Sequence, residues 1–194
     1  MRVPRHVFLP LGCDSGDENV DSVPLEDQRV LPGEQLLAKM LEALGLDGTE
    51  RVLDFGSGSG YQAAVLSHLA REVYSTEVDA ERALHRERTL GSLGCGNVHV
   101  VKCGASAGYS GAAPYQAIFV GAGVSELPKE LLEQLDVGGR LIVPLGDADG
   151  QLLERFRKRA DALDSETLGA CHLGLLAGAR WTPSTLPWSH LPQP

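Results

Sequence analysis

A carboxylate, Asp54, stands where the apolar run Val52-Leu53 gives way to a turn with glycines at Gly56, Gly58 and Gly60 and serines at Ser57 and Ser59 between them. A second carboxylate, Glu77, closes the next apolar run. Glycines permit left-handed backbone and let a ligand approach bare main chain. An acid at the end of the following strand accepts hydrogen bonds from ribose hydroxyls. Residue types and spacing together suit a nucleoside-bearing ligand, held by its sugar at one end and its charged tail at the other.

Two classes of nucleoside compete for such a loop. A dinucleotide fingerprint needs G-x-G-x-x-G, with the pyrophosphate on the following helix N-terminus. Read from Gly56, its third position falls on Tyr61, too large for close helix–strand packing; read from Gly58, it becomes Gly58-x-Gly60-x-x-Ala63, which the relaxed form allows. The compact G-x-G-x-G turn after an acid suits a nucleoside without phosphates, of which S-adenosylmethionine (SAM) is the common example. Its ammonium group favours the negative surroundings of Asp54, its methionine part lies against Gly56, Ser57, Gly58, Ser59 and Gly60, and Glu77 accepts from both ribose hydroxyls. Tyr61 and Gln62, opening the next helix, orient the methionine end, and Val78 follows the ribose acid.

These residues need a scaffold, and the hydrophobic pattern supplies one. Leu36, Leu37, Met40, Leu41 and Leu44 form a helical stripe over residues 35–44. An alternation follows: strand 51–55, helix 61–69, strand 72–77, charged helix 80–93, strand 98–102, strand 115–120, a short helix 129–135 ended by Gly138-Gly139, and strand 140–144. Residues 151–158 are amphipathic in either reading, and 168–176 read as a further strand. Strands alternating with helices imply βαβ units, and hence an α/β fold with a doubly wound, mostly parallel sheet and helices on both faces. Ligands of such sheets bind beyond the carboxyl ends of the strands at the switch point, where the glycine loop falls. Gly121-Ala122-Gly123, after another strand, lines the same cleft. Residues 11–33 read as a long acidic loop, giving an N-terminal segment 1–35, a ligand-binding domain 36–181 and a Pro-rich tail 182–194 carrying Trp188.

Bulk properties narrow the partners. The 194 residues suit one domain, and a formal charge of −9 argues against a nucleic-acid backbone binder, which needs clustered Lys and Arg. No apolar run approaches the roughly 20 residues of a spanning helix, and the N-terminus lacks a secretory core. Cys13, Cys95, Cys103 and Cys171 form no CxxC pair, so they read as reduced thiols of a cytoplasmic protein rather than a zinc site or disulfide frame.

Residues 52–65, with Gly-Ser-Gly-Ser-Gly-Tyr-Gln-Ala-Ala-Val, resemble the protein-L-isoaspartate (D-aspartate) O-methyltransferase family. Three further stretches agree: Val3-Pro4-Arg5 through Phe8-Leu9-Pro10, Ala113-Pro114-Tyr115-Gln116-Ala117-Ile118, and Leu131 to Leu135 running through Gly138-Gly139-Arg140 to Gly146. The resemblance covers roughly residues 3–181, with a gap near 11–35. It implies a Rossmann-like methyltransferase fold, SAM as methyl donor, and transfer to the carboxylate of isoaspartyl residues in damaged proteins or peptides. It places Gly104 and Ala105 beside the adenine.

The chain departs from the family in three places. No Ser or Thr stands in Asp27-Gln28-Arg29-Val30-Leu31-Pro32-Gly33-Glu34-Gln35, where the family has a hydroxyl-bearing segment beside the transferring methyl. Gln28, Arg29 and Gln35 are the candidates for replacement contacts, so no catalytic residue is assigned. Cys103-Gly104-Ala105 replaces the family's Gly-Asp-Gly, and Gln116 replaces an Asp. Two alternatives therefore accompany the isoaspartyl reading: a methyltransferase with another carboxylate or small-molecule acceptor, and a SAM-binding protein that no longer catalyses.

Overall fold

A computed structural model describes residues 3–9, 22–24, 30–104 and 107–176. Its centre is a seven-stranded sheet built from β3 (Arg51–Phe55), β4 (Glu72–Glu77), β5 (Val98–Lys102), β6 (Tyr115–Val120), β7 (Leu135–Gly146), β8 (Gln151–Lys158) and β9 (Leu163–Cys171), in the order β5-β4-β3-β6-β7-β8-β9. The first five strands in that order run parallel; β8 and β9 are antiparallel additions at one edge. Helices α1 (Glu34–Leu44), α2 (Tyr61–Leu66), α3 (Ala80–Ser92) and α4 (Lys129–Gln134) complete the fold.

Successive strand side chains point to opposite faces, and the apolar residues divide accordingly. Val52, Ala117, Phe119 and Ile142 join a core with α1, α2 and Leu90 of α3. Leu53, Ile118, Val120, Leu141 and Val143 join a second core with Leu131 and Leu132 of α4. Strands buried on both faces carry continuous apolar runs, which is why β3 and β6 begin and end where the sequence predicts. The chain winds outward from β3 to β4 and β5, then returns to place β6 on β3's other side. The β3/β6 boundary is thus the switch point, where ligands of such sheets bind.

Four expectations need correction. The acidic stretch 11–33 is not wholly loop: β1 (Ser22–Pro24) pairs antiparallel with β2 (Val30–Pro32). Helix α2 ends at Leu66 rather than Leu69. Gly138-Gly139 does not separate helix from strand; it lies inside β7, where the register to β6 shifts and Gly138 takes φ 85°. The last strand is β9, ending at Cys171, not 168–176: its first half, Leu-Asp-Ser-Glu-Thr, is mostly exposed and shows no hydrophobic alternation. Residues beyond it turn back across the sheet's end, where Leu175 bridges to Gly123. Trp181 and, in the tail, Trp188 lie outside the described residues.

Candidate functional site

Asp54 is the penultimate residue of β3, on the face shared with Val52, and is wholly buried. It is flanked by Ser75 of β4 and Phe119 of β6. Ser75 donates its hydroxyl to Asp54 Oδ2 at 2.8 Å, while Oδ1 has no hydrogen-bond partner among the described residues. Burial pushes this carboxyl up to about 6, against the pull of the Arg86 charge and of the Ser75 and Ser57 hydroxyls.

The loop beyond β3 takes the left-handed backbone its glycines permit: φ is 76° at Gly56, 60° at Gly58 and 93° at Gly60. Gly60 has a second reason to be glycine, since a Cβ there would lie 2.8 Å from Arg86 Cγ. Ser59 Oγ accepts from the Tyr61 amide at 3.2 Å, and Ser57 donates to Gln62 Oε1 at 3.2 Å. Gln62 is fully buried, and its Nε2 has no partner. One strand–loop–helix unit therefore holds a buried acceptor, Asp54 Oδ1, and a buried donor, Gln62 Nε2, that the protein itself leaves unmet. Buried polar atoms are ordinarily paired. An acceptor and a donor left open beside a glycine turn fit a ligand with an ammonium and a carboxylate.

Glu77, at the end of β4, differs from expectation. Its Oε1 accepts from the Val78 amide at 2.8 Å, the Asp79 amide at 3.1 Å and Arg82 Nη2 at 3.3 Å. Its Oε2 accepts from Arg86 Nη2 at 2.7 Å. A carboxylate oxygen has about two lone-pair sites, so Oε1 is filled and Oε2 has room for one more donor. Glu77 can take one ribose hydroxyl as it stands; taking both requires its contacts on Oε1 to change, and Arg82, half-buried, is the side-chain contact among them. Beside it Val78 presents an apolar side chain 57% exposed. The Cys103 amide donates to the Glu77 carbonyl at 2.9 Å, bringing exposed Gly104 alongside.

The structure thus gathers Asp54, Gly56, Ser57, Gly58, Ser59, Gly60, Tyr61, Gln62, Glu77, Val78 and Gly104 at the carboxyl ends of β3, β4 and β5. Gln35 is exposed near the start of α1, and Gln28, Arg29 and Ala105 lie outside the described residues. Gln116 is at the opposite end of its strand: it accepts from the Arg51 amide at 3.0 Å and donates to Asp136 at 3.0 Å, a structural task. Gly121-Ala122-Gly123 is buried rather than open to a cleft, because residues 173–176 cover it: Gly123 donates to the Gly174 carbonyl and accepts from the Leu176 amide. Leu176 also reaches over Gly56, 3.2 Å from where a Cβ would be. Among the described residues no group of three or more His, Cys, Asp or Glu is placed to hold a metal, and no helix is long and apolar enough to cross a membrane.

Three contributors escaped sequence reasoning. Leu176 belongs to a segment whose role depends on its return across the sheet. Arg5 is 92% buried by the N-terminal turn (8% exposed), donates to the Pro32 carbonyl at 2.9 Å and stacks over Tyr61 at 5.5 Å. Arg86 is buried within a helix that reads as charged throughout. One signal was present: Ala83, Arg86 and Leu90 recur at i, i+3 and i+7, so the arginine stands on the stripe that faces the core.

The chain and its fold have relatives. The family model for protein-L-isoaspartate(D-aspartate) O-methyltransferase matches residues 1–173. A protein-L-isoaspartate O-methyltransferase of Geobacter metallireducens is 38% identical over 92% of this chain and 83% of its own. One of Syntrophotalea carbinolica is 37% identical over 92% of this chain and 82% of its own. Among solved structures, a protein-L-isoaspartate O-methyltransferase superposes with a TM-score of 0.79 at 29% identity; the match covers 91% of this chain and 59% of that one. A Plasmodium falciparum chain crystallised with S-adenosyl-L-homocysteine shares the fold, with a TM-score of 0.64 at 21% identity over 90% of this chain and 86% of that one.

Proposed function

The chain belongs to the protein-L-isoaspartate(D-aspartate) O-methyltransferase family, a family of SAM-dependent methyltransferases, and we propose that it methylates the free carboxylate of isoaspartyl residues in peptides and proteins of the cytoplasm. The observation that carries this reading is the cradle at the switch point: a left-handed glycine turn between buried Asp54, with Oδ1 unmet, and Glu77, with room at Oε2.

SAM supplies an electrophilic methyl on a sulfonium; a carboxylate oxygen takes it, leaving S-adenosylhomocysteine and a methyl ester. The chain's residues bind and orient. Asp54 Oδ1 offers the acceptor for the ligand's ammonium, and Gln62 Nε2 the donor for its carboxylate. The backbone from Gly56 to Gly60 lies against the methionine part, positioned by Ser57 and Ser59. Glu77 takes the ribose, and Val78 and Gly104 flank the base. Tyr61, fixed by Phe8 edge-on at 5.6 Å and by Arg5, walls the site. Leu176 and the 173–176 segment help exclude water.

This division of labour needs no general base. The nucleophile is a carboxylate, ionised at neutral pH, and the leaving group is already activated. Alignment and exclusion of water are what remains for the protein. The lack of a hydroxyl between Val30 and Gln35 is consistent with that economy, but it favours a second reading as well: the same transfer to a different carboxylate.

Incubation with methyl-labelled SAM and paired peptides tests both. Label should enter a base-labile ester on an isoaspartyl peptide and not on its aspartyl twin. Label on neither peptide, with SAM bound, refutes the isoaspartyl acceptor and leaves two readings, transfer to a different acceptor and a SAM-binding protein that no longer catalyses.

A further inference from the structure

Arg86 projects from the middle of α3 and is 3% exposed. Its Nη1 donates to Ser75 Oγ at 3.1 Å and to the Thr76 carbonyl at 2.9 Å. Its Nη2 donates to the Gly58 carbonyl at 2.8 Å and to Glu77 Oε2 at 2.7 Å. Ser75 passes the contact on to Asp54 at 2.8 Å. One guanidinium thus ties the glycine turn, the last three residues of β4 and both acids of the cradle into a single unit. Its stem fills the volume beneath Gly60.

The planar fork is what makes this possible. Arginine offers five donors in fixed geometry and keeps its charge when buried; lysine offers a single point charge. A guanidinium linked to Glu77 directly and to Asp54 through Ser75 fixes where each carboxylate points.

We propose that Arg86 is the positioning residue of the cofactor cradle, fixing Glu77 directly and Asp54 through Ser75 and propping the Gly58–Gly60 turn in its receptive shape. This rests on the methyltransferase reading and adds a residue that no motif marks. The groups packed around Asp54 are few. Arg86 comes from α3, Ser75 and then Glu77 from β4, Ser57 from the glycine turn, and uncharged Phe119 from β6. Cys103 at the end of β5 stands near Glu77 and Arg86, and burial raises its thiol. Among the described residues Arg86 is the one charge acting on Asp54, and it favours the ionised form.

The test compares wild type with Arg86→Lys and Arg86→Met. In ligand-free protein, the 13C resonance of the Asp54 carboxyl, identified by its loss in Asp54→Asn, is followed from pH 4 to pH 9. Calorimetric titration with SAM covers the same range. In Arg86→Met the Asp54 midpoint should move upward and the pH below which SAM affinity falls should move with it; at neutral pH affinity should drop roughly tenfold or more. In Arg86→Lys the midpoint should stay while affinity falls through loss of the fork. A merely structural arginine would weaken binding equally at every pH. An unmoved Asp54 midpoint in Arg86→Met with SAM still bound by wild type overturns the inference alone. So does wild-type SAM affinity in Arg86→Lys, which remains decisive should the methionine variant not fold. Failure of wild type itself to bind SAM overturns inference and functional reading together.

Discussion

Replacing Asp54 by Asn should make the ligand-free protein more stable while abolishing SAM binding. The carboxyl is wholly buried, and its pKa is raised from 3.8 to about 6 by desolvation. A raised folded-state value means the folded protein holds this proton more tightly than the unfolded chain. Stability from this group is therefore full below about pH 4 and is lost as pH rises through about 6. At about 1.4 kcal/mol per pKa unit, a shift of about two units makes the ionised group cost about 3 kcal/mol at neutral pH. Asparagine keeps the shape and a carbonyl for Ser75 without the charge. It leaves Arg86 with one acid instead of two, so about 3 kcal/mol is an upper limit, equivalent to about 6–12 °C in Tm for a chain of this size. Calorimetric unfolding of both proteins from pH 3.5 to pH 8 cancels every group they share. The difference should be near zero at the acid end, open between pH 4 and pH 6, and stay level above. A variant equally destabilised at pH 4 and pH 8 would refute the assignment of the cost to Asp54's charge. Retained SAM affinity would refute its placement beneath the cofactor.

Four further changes probe the rest of the cradle. Gly60→Ala forces a side chain into φ 93° and sets its Cβ 2.8 Å from Arg86 Cγ; it should lose about 1–2 kcal/mol in urea unfolding from backbone strain alone and weaken SAM binding by titration. Glu77→Gln breaks the buried pair with Arg86 and should cost about 3–5 kcal/mol, whereas Arg82→Ala, which removes a partly exposed contact to the same carboxylate, should cost less than about 1 kcal/mol; chemical denaturation should separate the two. Gln151→Leu removes two hydrogen bonds to the Leu173 backbone, at 2.7 and 2.9 Å; it should cost about 1–3 kcal/mol and speed hydrogen exchange at the Leu176 amide, because the covering segment is then released from β8.

How much of this could be read from the chain depends on the range of the interaction that decides each feature. Val52-Leu53 and the apolar run of β6 announce strands because both their faces are buried, so composition alone marks them. The glycine turn is legible because its backbone angles are a local demand. The start of β9 is not, since Asp164, Ser165 and Glu166 are exposed at a sheet edge and owe their conformation to pairing with β8. The extension of β7 back to Leu135 is hidden for the same kind of reason: two glycines look like an ending until pairing with β6 shows that they are a bend. At the site, Asp54 and Glu77 were legible as acids at strand ends. That Glu77 is already engaged by Arg82 and Arg86 was not, because those partners lie five and nine residues on and meet it only when α3 packs against β4.

The two acids also show why the site is built at the expense of the fold. Glu77 has its charge answered from within, by Arg86 and two backbone amides, and Asp54 does not: one of its oxygens accepts no hydrogen bond among the described residues. An unmet buried oxygen is unfavourable in the ligand-free protein, and nothing in β3 packing requires an acid at a position flanked by Phe119. The arrangement becomes favourable when a cationic ligand supplies the missing donor, so the energy withheld from folding is returned on binding. The same logic fixes the sign of the pH response. A cation binds the ionised acid, so SAM affinity should fall as pH drops below about 6, while the peptide carboxylate, titrating lower, is still charged. Loss of activity on mild acidification would then come from the cofactor side of the reaction. Saturating SAM should restore turnover at pH 5.5, and loss of turnover that no concentration of SAM restores would place the titrating group elsewhere.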